Sequence, residues 1–364
     1  MKSFFLIGTY TTPVPAGPEG KLRERGEGIY LCSFEDGKAE VIRSLKMINP
    51  SFLTIDERRR HVYAVNETRS FEGEYGGGIT DLTYDEKGCF SVRGVFHTGG
   101  TDPCHIAVSP DGAYVCAANY SDGRVTAFRL DKNGNVLPER MLFEHDGKGP
   151  NAARQEGPHA HCVLYASGGR MYVVDLGTDQ LRAFRIEKGR IASDEENNVR
   201  LVPGIGPRTG AWSADGHRLY LTNELGSSVT LLMNENGTLR RVGETPTLPE
   251  GTDGTKNYCA DVHLSPDEKT LYVSNRGHDS IAVFSVAPDG RLTAEDWTSS
   301  GGSMPRQFSL DPSGKYMLIG NQNGDCVTVL RVLENGRLEP CSRLEIPAPV
   351  CIQFFRNTDF EIGS

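Results

Sequence analysis

No run of apolar residues in this sequence is long enough for a membrane-spanning helix, and no segment has the composition of a disordered tail. The opening MKSFFLIGTY carries a single Lys and a short apolar run before Pro13; it lacks the apolar length and the small-residue cleavage site of a signal peptide, so it is expected to be a strand. Basic residues are too few for nonspecific nucleic-acid binding: 39 Lys and Arg stand against 48 Asp and Glu, a net charge of −9. A local basic pocket for an anionic metabolite is compatible with that balance. The nine cysteines are odd in number and lack the close-set pairs of metal sites and any CxxCH haem attachment. Cys32, Cys116, Cys162 and Cys326 sit in strand-like runs and are expected to be small buried residues in a reducing cytoplasm. The glycine-rich GEYGGG (73–78) lacks the spacing and strand-to-helix setting of a phosphate loop, so it is expected to be a mobile loop. Convincing amphipathic helices are missing too.

What the sequence does have is self-similarity. DERRRHVYAVN (56–66), SPDGAYVCAAN (109–119), YASGGRMYVVD (165–175), SADGHRLYLTN (213–223), SPDEKTLYVSN (265–275) and DPSGKYMLIGN (311–321) each read as a turn and an apolar strand. Asn or Asp closes each one, ten positions after its first residue. An apolar strand such as HIAV, DVHL or QFSL precedes the unit. Alternating runs such as RVTAFRL and SIAVFSV follow it, then a DG- or NG-type turn and a fourth strand. Four antiparallel strands recurring every 46 residues (Ser265 to Asp311) to 56 residues (Ser109 to Tyr165) indicate a β-propeller. Six units are visible. A seventh must combine PVCIQFF (349–355) as innermost strand with FFLIGTY and GIYLCSF, closing the ring through the chain's ends. The expected architecture is all-β, a seven-bladed propeller of four-stranded blades over residues 1–364 as one domain.

Antiparallel parity sorts the loops. With strands a to d running outward from the axis, the b–c and d–a connections share one face and the short a–b and c–d turns share the other. Long insertions fall at 11–27 and 67–77 (b–c) and at 144–158 and 244–258 (d–a), all on one face, where binding residues concentrate. The starts of the a strands bring Phe52, His105, His161, Thr209, Asp261 and Gln307 to that face. Just before them come Ser51, Cys104, Ala160, Arg208, Ala260 and Arg306, and the ends of the b strands add Glu67, Tyr120, Leu176, Glu224, Arg276 and Gln322. A structural ring would be repetitive and apolar or small. This one varies and gathers ionisable groups, as a site does. The ERRRH run (57–61) falls on the opposite face and is expected to be a solvated charge cluster; His278 reads as a rim residue.

The segments GPHAHCV (157–163), DLGTDQLRAF (175–184), GIGPR (204–208), YLTNELGSSV (220–229), SNRGHDSIAVF (274–284) and MPRQFSLDPSGKYMLIGNQ (304–322) resemble the bacterial 6-phosphogluconolactonase family of seven-bladed propellers, with the fungal carboxy-muconate lactonizing enzymes as distant members. The resemblance runs across nearly the whole chain. It implies a cytoplasmic hydrolase that opens 6-phospho-D-glucono-1,5-lactone in the pentose phosphate pathway, and carries over His161 (or His159), Arg208, Glu224 and Arg276 as functional residues. Where family members often have His after the GPR arginine, this chain has Thr209, which puts rate or substrate in doubt.

Lactone hydrolysis needs a base to activate water and donors for the tetrahedral oxyanion. In this reading His161 is the base, with Glu224 orienting it or sharing the role. One of Arg208 and Arg276 faces the oxyanion; the other, with Arg306, holds phosphate. His159, His105, Asp261, Glu67 and Gln322 complete the binding surface. Each has a structural alternative: a histidine bonded at a blade junction, or an Arg–Glu salt bridge between blades. His105, His159 and His161 lack a partner at a diagnostic zinc spacing, so neither metal nor cofactor is expected. The expected partner is a small anionic sugar lactone, with no nucleic acid or membrane, bound by a monomer or weak dimer. Competing readings are a cycloisomerase or hydrolase of another lactone, and a propeller binding platform. The platform would usually carry Trp-Asp repeat endings, and neither Trp212 nor Trp297 is followed by Asp.

Overall fold

A computed structural model describes residues 2–12, 25–187, 189–235, 237–358 and 360–361. Among the described residues, seven antiparallel blade sheets carry the chain, six of four strands and the third with a short fifth strand, Val199–Arg200, beside Gln180–Glu187; turns, loops and two single-turn 3₁₀ segments join them. Blade 1 holds Leu53–Asp56, His61–Asn66, Gly78–Tyr84 and Phe90–His97, and blades 2 to 6 begin at Pro103, Ala160, Pro207, Tyr258 and Pro305. In blade 7 the innermost strand, Pro349–Phe354, pairs with Ser3–Thr9, followed outward by Gly28–Glu35 and Lys38–Lys46. The opening residues are thus a strand, buried at every position from Phe4 to Thr9.

Burial follows strand position. The b strands are almost wholly buried, whereas the outermost strands alternate, as Lys38–Lys46 shows. The apolar clusters lie between adjacent blades; one joins Phe5, Ile7 and Cys32 of blade 7 to Leu318, Val327 and Val329 of blade 6. Two repeated hydrogen bonds explain the sequence repeat. In five blades an Asn near the end of the b strand is buried and uses its side-chain amide on the neighbouring strand or turn: Asn119 and Asn223 donate to Thr126 (3.0 Å) and Thr230 (2.9 Å). Asp175, an acceptor only, takes the amides of His159, Gly177 and Thr178 instead. Between blades, the Tyr63, Tyr172, Tyr220 and Tyr272 hydroxyls donate to the carbonyls of Gly134, Gly237, Gly290 and Gly336 in the next blade's c–d turn. Tyr220→Phe should therefore lower unfolding free energy by about 1 kcal/mol in a denaturant titration and leave activity unchanged.

Two sequence expectations are corrected. The 57–61 run is not simply solvated: His61 begins strand b, is buried, and pairs with buried Asp81 at 2.6 Å, whose other oxygen accepts the Val136 amide of blade 2. Arg59 is half-buried against Asp56. The 73–78 segment is not a free loop but closes a hairpin, Ser70–Phe71 with Glu74–Tyr75, and leads into the strand beginning at Gly78. Most of the 11–27 insertion lies outside the described residues.

Candidate active site

The a strands do not run straight into the channel mouth. Pairing with the b strands slips at the same place in five blades, between Pro103 and His105, Ala160 and Cys162, Pro207 and Gly210, Cys259 and Val262, and Pro305 and Gln307. Such a bulge inserts an extra residue and re-aims its side chain. Consecutive residues, which ordinary alternation would send to opposite sides, here face the axis together: Cys104 with His105, Arg208 with Thr209, Arg306 with Gln307. They line a narrow cleft, with open room of about 20 Å³, together with Ser51, Phe52, His161, Asp261 and Val350, so all seven blades contribute.

The b-strand ends are fixed by a second recurring device. Asn49, Asp102, Gly206, Met304 and Ala348, each preceding the proline at the start of an a strand, have φ of 41°, 51°, 59°, 59° and 44°. Their carbonyls receive the amides of Glu67, Tyr120, Glu224, Gln322 and Tyr10, respectively, at 2.7–3.1 Å. Left-handed backbone at non-glycine residues is strained and concentrates at sites. Tyr10 is the seventh member of the ring that contains Glu67, Tyr120, Leu176, Glu224, Arg276 and Gln322.

Glu224 is the hub. Its carboxylate, 2% exposed, meets Arg154 Nη2 at 2.5 Å, Arg276 Nη2 at 2.6 Å and Arg208 Nε at 3.2 Å. Burial alone would raise its pKa, but the three guanidinium groups outweigh that and hold it well below the usual carboxylate range. Contrary to the sequence reading, Glu224 does not orient His161: its oxygens are taken by arginines, and no ion pair joins the two residues. His161 instead has Nδ1 3.7 Å from the Cys104 thiol. Burial, then the charges of Arg208 and Arg306, keep its pKa far below the ordinary histidine value, so the imidazole is neutral.

The other expected residues divide clearly. Arg276 is 1% exposed, and its Nε donates to the Tyr258 carbonyl at 3.1 Å. Arg208 Nη1 donates to the Ala260 carbonyl at 3.0 Å. His105 stacks on Phe52, accepts the Val163 amide through Nδ1, and is lowered by burial to about 3. Asp261 accepts from His263 Nε2 at 3.0 Å and from the Phe308 amide. Arg306 lies over the Tyr10 ring, and Glu67 takes the Tyr10 hydroxyl. His159 does not reach the cleft: it stacks on Tyr120 at 4.6 Å, and its Nδ1–H donates to the Tyr120 carbonyl. Gln322 turns along its own loop toward Asn323. Thr209 lines the cleft and donates to Cys162. His278 is exposed at the rim, bonded to Ser280. Among the described residues no three His, Cys, Asp or Glu side chains are grouped to hold a metal ion, and no helix is long and apolar enough to cross a membrane. Sequence reasoning missed Arg154, which sits in a d–a loop outside the repeat, and Tyr10, which follows Thr9 where the other blades mostly have Asn.

The model of the seven-bladed β-propeller lactonase family matches residues 4–354. The chain belongs to that family. A lactonase opens a cyclic ester with water. The chain is 30% identical to the 6-phosphogluconolactonase of Bacillus subtilis over 359 residues, 96% of this chain and 97% of that one. It is 28% identical to the 6-phosphogluconolactonase of Formosa agariphila, across 92% and 94% of the two chains. A solved structure named periplasmic gluconolactonase, from Pseudomonas aeruginosa, superposes with a TM-score of 0.87 at 29% identity, covering 97% of this lactonase and 99% of that chain.

Proposed function

We propose that this lactonase hydrolyses 6-phospho-D-glucono-1,5-lactone to 6-phosphogluconate at the mouth of the axial channel. The observation that carries the reading is the placement of Arg208 and Arg306, beside neutral His161, in a cleft built by all seven blades of a lactonase. The lactone carbonyl lies against Arg208 and Arg306, whose charge stabilises the tetrahedral oxyanion. Unprotonated His161 takes the proton of the attacking water. It is a weak base, which a reactive δ-lactone tolerates. Glu224 fixes Arg154, Arg208 and Arg276 and transfers no proton. Nine unpaired cysteines, seven of them buried, support a cytoplasmic setting.

The phosphate is assigned to Arg154. Its side chain is 21% exposed, against 8% for Arg208 and 1% for Arg276, and it stands at the rim on Tyr120 and Glu224. Arg154→Ala should raise KM for the phosphorylated lactone about 10- to 100-fold, the loss of a charge-assisted contact, with a much smaller change for gluconolactone. Equal changes for both substrates would remove Arg154 from phosphate binding. The deciding assay follows freshly generated phosphogluconolactone and unphosphorylated gluconolactone, corrected for spontaneous opening. The name of the Pseudomonas structure makes the second substrate the alternative reading. Turnover of neither lactone above the spontaneous rate overturns the proposal.

A further inference from the structure

The ring at the b-strand ends holds two buried glutamates in opposite surroundings. Glu224 is clamped by three arginines. Glu67, 5% exposed, accepts the Tyr10 hydroxyl at both carboxylate oxygens, at 3.1 and 3.0 Å. Its hydrogen-bond partner is a phenol, which brings no charge, and the charge of Arg306 acts on it where three guanidinium groups clamp Glu224, so the protonated acid is tolerated at Glu67 where it is excluded at Glu224. The groups around Glu67 come from four elements: Tyr10 after the Ser3–Thr9 strand, Ser51 before strand a of blade 1, Asp102 and Cys104 of blade 2, and Arg306 of blade 6. Three of these, Ser51, Cys104 and Arg306, line the cleft. Burial pushes the Glu67 carboxyl up to about 7; Arg306 and the Ser51 and Tyr10 hydroxyls work against that rise, and Asp102 adds to it. A buried carboxyl group that keeps its proton near neutral pH can serve as a proton donor.

Opening a lactone needs two proton transfers: neutral His161 takes the one from water, and the one to the ring oxygen comes either from the imidazolium so formed or from a second acid. We propose that Glu67, steered by Tyr10, is the general acid that protonates the ring oxygen as the lactone opens. The water oxygen bonds to the carbonyl carbon as one of its protons passes to His161. The tetrahedral oxyanion then collapses, the bond from that carbon to the ring oxygen breaks, and the ring oxygen takes the Glu67 proton. The products are a carboxylic acid and a hydroxyl. His161 loses its extra proton and Glu67 regains one through solvent, so each cycle consumes one water and nothing else.

This inference rests on the lactone-hydrolase reading of the cleft. Its test compares Glu67→Gln with wild type on gluconolactone, whose leaving group is an alkoxide, and on dihydrocoumarin, whose phenolate leaves without an acid. The variant should lose about 10²- to 10³-fold in kcat/KM on gluconolactone but less than about fivefold on dihydrocoumarin. Wild-type kcat on gluconolactone should fall as pH rises through about 7, because the protonated form is the active one, and Glu67→Gln should lack that limb. Equal losses on both lactones, or a limb that survives in the variant, overturn the proposal. Where wild type accepts the sugar lactone alone, the limb decides. If Glu67→Gln does not fold, Tyr10→Phe serves: deleting a hydrogen bond that favours the carboxylate should move the limb to higher pH, and an unmoved limb overturns the assignment. Wild type that opens no sugar lactone would instead sink the underlying function.

Discussion

Glu224→Ala should lose both activity and fold stability, the largest combined effect of any single change in this protein. Removing the carboxylate leaves Arg154, Arg208 and Arg276 facing one another, two of them buried. Breaking a buried ion pair from one side costs about 3–5 kcal/mol, since the orphaned charge stays out of water. The activity loss follows from geometry: Arg208 is held by Glu224 and the Ala260 carbonyl, and without the first it can swing from the oxyanion position. A fall in kcat of about 10³-fold is expected, the size of losing one preorganised donor or more. Glu224→Gln keeps the shape and some hydrogen bonds, so it should lie between wild type and alanine in both measurements. Denaturant titration and steady-state kinetics on the same samples check this. An alanine variant with native stability and near-native kcat would show that Glu224 is no anchor.

His161→Ala should lower kcat on the sugar lactone by about 10²- to 10⁴-fold with little change in KM, the range for losing a positioned proton acceptor. The fold should survive, because the polar contact of the ring is a long one, 3.7 Å from Nδ1 to the Cys104 thiol. The pH profile gives an independent check. Burial, Arg208 and Arg306 depress the imidazole, so it stays in its working, unprotonated form as pH falls from about 8 to about 6. Over that range kcat should not drop on the acid side. A loss with a midpoint near the ordinary histidine value would mean that His161 titrates freely and is not the buried base described here.

The fold was readable because its repeat is chemical as well as periodic: an Asn or Asp ends the b strand in six of the blades and satisfies the turn beside it, and that prints a ten-residue offset on the chain. The site face was readable because strand parity alone assigns loops to faces, and that assignment brought His161, Arg208, Asp261 and Arg306 together in one cleft. The bulges were not readable. Slipping the register by one residue leaves no required side chain behind, so Cys104 and His105 were both assigned to the site face without the bulge that turns the two toward the axis. The Glu224 clamp was hidden for another reason. Arg154 lies in an insertion that no other blade shares, and without it the glutamate looked like a free partner for histidine. Tyr10 escaped because blade 7 is divided between the two ends of the chain and Thr9 replaces the diagnostic Asn.

Blade 7 also sets when this protein can begin to work. Tyr10 reaches the Glu67 carboxylate from a strand whose inner neighbour, Pro349–Phe354, comes more than 300 residues later in the chain, after six other blades. Six finished blades would present His161 and the arginines while still lacking the phenol and the seventh wall of the cleft. Turnover should therefore wait for that strand: a nascent or clipped chain that stops short of Pro349 stays silent however well its other blades have folded.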